Sequence, residues 1–155
     1  MGLTLHFSSE AFEPPTTGET EAAELSMICY MRTWKFASGV DRYVQMLGIL
    51  PRWSSGQVTL KLHWTPTVSG GSVYWEGYVV GLGAQDNFDT FTWGSAIGNA
   101  FYATATYKVH TSNIGPFDVG SPPLLLLLKV GRVGTNVGDT NTGTAHLLSV
   151  VVYEG

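Results

Sequence analysis

Gln57-Val58-Thr59-Leu60-Lys61-Leu62-His63-Trp64 decides the fold of this chain. Apolar and polar residues alternate through it without a break. A period of two sends Val58, Leu60, Leu62 and Trp64 to one side and Gln57, Thr59, Lys61 and His63 to the other, which describes a half-buried strand. Gly56 opens the stretch, and Pro66 with Ser69-Gly70-Gly71 closes it. Ser72 to Val80 is the next strand, with Val73, Trp75 and Val79 on one face and Tyr74, Glu76 and Tyr78 on the other. Gly77 stands where a side chain would crowd a bulky neighbour. Strand, glycine turn and strand together predict a hairpin.

The same pattern extends in both directions. Leu3 to Phe7 alternates. Glu24 to Phe36 holds Ile28, Tyr30, Trp34 and Phe36, enough for one strand or a strand with a break. Tyr43 to Leu50, Ala100 to His110, the leucine run to about Val133, and His146 to Tyr153 complete the set. Between them lie loops. Gly81 to Asn99 is turn-rich, with Phe88, Phe91 and Trp93 to hold it down as a packed loop or short helix. Asn113 to Pro123 reads as a loop, and Gly134 to Thr144 as a hairpin loop. No convincing amphipathic helix is present. The expectation is an all-β protein: a jelly-roll-like antiparallel β-sandwich of about eight strands. It forms one domain over 1–155. Residues 8–23, with Pro14-Pro15 and four glutamates, form an extended acidic loop or arm.

Leu124 to Leu128 is a run of five leucines preceded by Pro122-Pro123 and followed by Lys129-Val130-Gly131. It is too short for a membrane span, which needs about 20 apolar residues. A short apolar run between turn signals is a strand covered on both faces. The final strand is equally apolar on both sides, which suggests one two-strand patch. Leu125, Leu127, Val151 and Tyr153 occupy the second face of that patch and are candidate subunit-contact residues.

Composition narrows the function. Charged residues make up 13% of the chain and aromatic residues 12%, with 19 glycines. An average soluble domain is roughly 25% charged. The net charge of −4 has no basic tract to attract nucleic acid. Met1 to Phe7 lacks the marks of a secretory signal. Cys29 is the single cysteine, so an intrachain disulfide is excluded, and manufacture in a reducing cytoplasm is expected.

No motif names a reaction. His6, His63, His110 and His146 have no metal-ligand spacing. Asp139 to Gly143 resembles a calcium loop faintly, but Val150 stands where a bidentate glutamate belongs. The glycine pairs precede no helix that would bind phosphate. Glu76, Asp86 and Asp89 are the carboxylates available to an acid–base pair. The expectation is therefore a protein without catalytic residues, metal or cofactor. Trp64 and Trp75 belong to the core. Trp53 and Trp93 fall in loops, where aromatic rings either plug the sandwich ends or stack on sugars.

Asp41-Arg42, the apolar strand after it, Gly48-Ile49-Leu50-Pro51-Arg52-Trp53, Ser54-Ser55-Gly56 and the two strands that follow form a connected pattern. With Lys129-Val130-Gly131-Arg132 and Ala145 to Val150, the pattern covers about two-thirds of the chain. It resembles the small β-sandwich or jelly-roll structural proteins of tailed-phage virions. The resemblance implies a virion protein that decorates the capsid as a cement. Its partners would be its own copies, as a homotrimer, and the major capsid protein, with neither nucleic acid nor membrane involved. Phe12, Glu13, Pro14 and Pro15 would then belong to a capsid-contacting arm. The acidic arm and the leucine run depart from that pattern. The alternative is a phage tail or fibre module that binds carbohydrate through Trp53 and Trp93.

Overall fold

The computed structural model describes residues 4–8, 24–28, 31–49, 56–120, 123 and 125–155. The arm proposed at 8–23, including Phe12 to Pro15, and Trp53 fall almost wholly outside these residues. Among the described residues there are ten strands: β1 (Thr4–Ser8), β2 (Glu24–Ile28), β3 (Met31–Phe36), β4 (Asp41–Ile49), β5 (Gln57–Pro66), β6 (Ser72–Leu82), β7 (Ile97–Tyr102), β8 (His110–Asp118), β9 (Leu125–Val133) and β10 (Ala145–Glu154). They form two antiparallel sheets. The first runs β2-β3-β10-β5-β8, with β1 also paired to β10, and the second runs β4-β9-β6-β7. The expected all-β sandwich of jelly-roll type is the fold observed.

The alternation at 57–64 acts as read. Val58, Leu60, Leu62 and Trp64 are all fully buried, facing Val73 and Trp75 of the second sheet. Trp75 packs edge-on against both Trp64 and Phe36, at centroid distances of 5.8 Å and 5.0 Å. Edge-to-face pairs of this kind add about 0.5–1.5 kcal/mol each beyond their burial. Gly77 is the close approach foreseen. A Cβ there would stand 3.1 Å from Leu60 Cδ1 and 3.2 Å from Phe117 Cζ.

Three segments refine or correct the expected strand bounds. The stretch read as one strand or a strand with a break is broken: 24–28 and 31–36 are two strands, β2 and β3, paired from Ile28 to Met31 onward. Residues 100–110 are not one strand. β7 ends at Tyr102, the chain crosses to the other sheet, and β8 starts at His110. Tyr107, at φ 55°, turns the crossing, and its N–H bonds the Pro66 carbonyl at 2.8 Å. β8 then continues to Asp118 through the segment read as a loop. Gly115 and Pro116 are accommodated there because β8 is an edge strand whose register with β5 shifts between Val58 and Leu60. These splits turn eight strands into ten.

The two expected hairpins are arches instead. β5 lies in the first sheet and β6 in the second, so the Ser69-Gly70-Gly71 turn spans the sandwich. β9 and β10 divide in the same way. The two-strand patch of Leu125, Leu127, Val151 and Tyr153 therefore does not exist. Leu125 and Leu127 lie on the outer face of the second sheet, and Val151 and Tyr153 lie on the outer face of the first. Glycine-rich turns serve a hairpin and an inter-sheet arch equally well, so turn composition does not discriminate between them.

The β9–β10 crossover is fixed by a charge with no exposure. Arg132, at the inward end of β9, forms a two-pronged pair with Asp139, Nε to Oδ2 at 2.8 Å and NH2 to Oδ1 at 2.7 Å. Its remaining donors reach the carbonyls of Phe36, Gly143 and Asn141. Phe36 belongs to β3 in the opposite sheet, so one guanidinium joins both sheets and the crossover. Asp139 also accepts from the Tyr74 N–H at 3.0 Å, which adds β6. Asn141 donates to the Val68 and Gly70 carbonyls and ties the neighbouring arch to the same knot. The faint calcium-loop resemblance at 139–143 is thus spent on internal contacts.

His146 supplies a pH dependence. It is 6% exposed and shares a 2.9 Å hydrogen bond with Thr33 Oγ1. Burial, then the charge of Lys35, pushes its imidazole below the ordinary 6.5. The unfolded chain therefore binds a proton more readily than the folded one. His146 adds stability above about pH 6.5 that is lost as pH falls through its folded value. Thermal scans across mildly acidic pH should show the melting temperature falling with pH, and H146N should flatten that slope. An unchanged slope would assign the dependence to other groups.

Candidate ligand-binding cleft

The outer face of the second sheet is unlike an ordinary wet face. Register places Tyr43, Gly131 and Glu76 in one row across β4, β9 and β6. Gln45, Lys129 and Tyr78 form the next row, and Leu47, Leu127 and Val80 the third. Gly131 leaves the room that the Tyr43 ring fills, since a Cβ at 131 would overlap it. The apolar third row explains the leucine run: its inner leucines, Leu126 and Leu128, face the core, and Leu127 faces outward yet is 6% exposed.

The cover over Leu127 is the chain's own loop. Residues 83–96, between β6 and β7, fold across this face. Asp86 closes the first turn by accepting from the Gly83 N–H at 2.6 Å, and Asn87 accepts from the Asp89 N–H at 2.9 Å. Beyond these turns the aromatic residues run as a chain of ring contacts. Phe88 meets Phe91 at 6.2 Å, Phe91 meets Trp93 at 5.2 Å, and Trp93 meets Tyr78 of the sheet at 6.4 Å.

A lysine anchors that chain to the sheet. Lys129 Nζ lies 5.1 Å from the Tyr43 ring, 4.7 Å from Tyr78 and 5.3 Å from Trp93. The negative faces of the rings attract the ammonium, most strongly where water is excluded. Glu76 Oε1 accepts from both tyrosine hydroxyls, at 2.7 Å from Tyr43 and 3.2 Å from Tyr78, and so orients two walls of the cage. Burial, reinforced by Glu76, holds the Tyr43 phenol protonated far above the usual range. K129M keeps the alkyl stem and removes the charge. It should cost about 1 kcal/mol and move the Trp93 indole N–H resonance toward its random-coil position. The Trp64 and Trp75 resonances should stay fixed; movement of all three would mean that the sandwich itself had loosened.

Past the cage the surface opens into a cleft of about 450 Å³, lined by Gln45, Met46, Leu47, Phe88, Phe91, Trp93 and Leu127. Phe88 is 55% exposed and Leu47 49%, so apolar surface faces solvent along its rim. Gln45 supplies an amide donor and acceptor. No carboxylate is among the described lining residues. Glu76 is occupied by the tyrosines and Asp86 by its own turn, so neither is presented to the cleft.

The structure places the remaining candidates as follows. Trp93 lines the cleft. Leu127 forms part of the cleft wall, beneath the aromatic loop. Val151 and Tyr153 face outward from the opposite sheet. His110 is engaged by the Thr104 N–H and the Lys108 carbonyl and lies against Trp64 at 4.7 Å. Among the described residues no group of three or more His, Cys, Asp or Glu is arranged to hold a metal ion. Sequence reasoning named Phe88 and Phe91 only as loop anchors and did not single out Gln45, Leu47 or Lys129 for binding. The alternation around Lys129 was hidden by the leucines before it.

The two-sheet jelly roll is what this protein shares with known structures. No protein-family model matches the chain, and no curated protein matches it by sequence. Similar solved structures include the CBM36-1 domain of a multidomain xylanase from the hindgut metagenome of Trinervitermes trinervoides. That likeness has a TM-score of 0.55 at 9% identity and covers 99% of this chain and 98% of that one. The xylan-binding module CBM15 aligns at a TM-score of 0.54 and 9% identity, over 100% and 98% of the two chains. The K1 cleaved adhesin domain of Lys-gingipain from Porphyromonas gingivalis W83 aligns at 0.53 and 14% identity, over 99% of each. At these identities the likeness establishes the fold, a β-sandwich shared with carbohydrate-binding modules.

Proposed function

We propose that this chain is a non-catalytic carbohydrate-binding module whose ligand lies in the cleft on the outer face of the second sheet. One observation carries the reading: Phe88, Phe91 and Trp93 line one open cleft together with Gln45, with no charged side chain among its described lining residues. The apolar faces of sugar rings stack on aromatic side chains, and an amide serves their hydroxyls. A volume of about 450 Å³ lies in the range of roughly 300–1,000 Å³ usual for ligand clefts. Two similar structures, a xylan-binding module and a module of a xylanase, favour a neutral polysaccharide chain as ligand. The neighbours reported above are carbohydrate-binding modules and an adhesin domain, not virion proteins. The carbohydrate reading therefore stands ahead of capsid decoration.

The ligand would be held by burial and stacking, with no step of bond making. Affinity electrophoresis through gels containing soluble xylan, β-glucan or galactan tests it. At least one polysaccharide should retard the protein, and EDTA should leave the retardation unchanged, since no carboxylate is among the described lining residues to bridge through a metal. Free migration through all three, with no binding on a broader glycan panel, would refute the reading.

A further inference from the structure

The opposite outer face carries a second depression, of about 330 Å³, whose lining is chemically different. Thr4 and His6 come from β1, Val151 and Tyr153 from β10, and Lys61 and His63 from β5. The registers bring them together. His6 stands beside Val151 and Val151 beside Lys61 in one row, while Ser149 stands beside His63 in the next. We propose that this depression is an oxyanion site for an acidic sugar unit, bearing its charge as a uronate carboxylate or a sulfate ester.

The protein has a net charge of −4, yet three of its four histidines lie on this face, with Lys35 and Lys61. Lys61 Nζ is held 5.5 Å above the Tyr153 ring, which keeps the ammonium over the depression instead of extended into solvent. His63 Nδ1 is engaged with Ser149 Oγ at 2.9 Å, so Nε2 is its remaining proton-binding atom. The described lining residues include no carboxylate. Asp118 lies at the far end of the face, held by Gln57 at 2.9 Å. Thr59, also at that end, donates to the Gly155 main-chain oxygen. Glu154 has the opposite parity on β10, and Lys35, with Glu24 beside it in register, and His146 lie along the same face toward the other end.

Burial first, then the charges of Lys61 and His6, push His63 below its ordinary 6.5. Among the described lining residues of the depression, positive charge thus accumulates without a carboxylate. An arriving oxyanion supplies negative charge and makes the protonated imidazole favourable, so binding and proton uptake are linked. Val151 and the Tyr153 ring add an apolar floor that a bare inorganic ion does not use, and the Thr4 hydroxyl suits a polyol. This site is independent of the aromatic cleft and does not require the cleft to bind anything.

NMR-detected titration of the intact chain with glucuronate, glucose 6-sulfate, glucose and inorganic sulfate tests the proposal, at about pH 5.5 and about pH 7.5. At least one charged sugar should shift the His6, Lys61 and His63 signals and bind several-fold tighter at the lower pH. The two charged arms tell carboxylate from sulfate. Titration in buffers of different ionisation enthalpy should register proton uptake. K61M should remove the shifts, and W93A should leave them intact. Glucose or inorganic sulfate acting as strongly as the charged sugars, full binding by K61M, or the absence of shifts would each overturn it.

Discussion

Replacing Asp139 with alanine should lower the stability of this protein by about 3–5 kcal/mol, the cost of stranding a buried charge. For a chain of this size that corresponds to a fall of roughly 10–15 °C in melting temperature. Arg132 is fully buried, and Asp139 is its paired carboxylate. Removing that carboxylate leaves the guanidinium with its three carbonyl partners but no opposite charge. The same change deprives the Tyr74 N–H of its acceptor. The double variant R132M/D139A should recover part of the loss, because it removes the stranded charge as well. Circular dichroism melts of the two variants decide the matter. A loss below about 1 kcal/mol for D139A would show that water reaches the pair and screens it.

The second large effect concerns the cleft. W93A should abolish retardation by any polysaccharide that binds the parent protein, with a loss of about 2 kcal/mol or more, roughly thirtyfold in affinity. Trp93 has two roles: it presents a ring to the cleft and is a wall of the Lys129 cage. W93F keeps a smaller ring and should bind with intermediate affinity. Neither variant touches the residues packed between the sheets, so the cooperative melt should persist close to that of the parent. Unaltered retardation by W93A would place the ligand elsewhere on the protein.

Much of the sandwich was legible, because burial on one side of a strand leaves a period of two in the sequence. The residues at 57–64 and 72–79 show it, and their inward members are those between the sheets. What the sequence did not reveal is which strands pair. Gly70-Gly71 and the 134–144 segment carry hairpin residues yet connect opposite sheets, and only the partners of Arg132 and Asn141 show why. The leucine run was legible as a strand with two covered faces. Its outer cover was not, because that cover is a loop from a distant part of the sequence. Trp93 was legible as a loop aromatic, while Lys129 was masked by its neighbours and gained its significance only from three rings on three separate segments.

The aromatic loop meets the sheet mainly through ring edges and one ammonium rather than through a backbone ladder. The hydrogen bonds of its main chain to described residues close turns within itself. Segments attached in this way open with a free energy well below that of global unfolding. Amide exchange in 88–93 is therefore expected to proceed by local fluctuation, nearly insensitive to low denaturant, while the amides of β5 and β6 wait for the whole sandwich to open. Each such excursion would uncover Leu127 while the rest of the molecule stays folded, giving the module a transient sticky state.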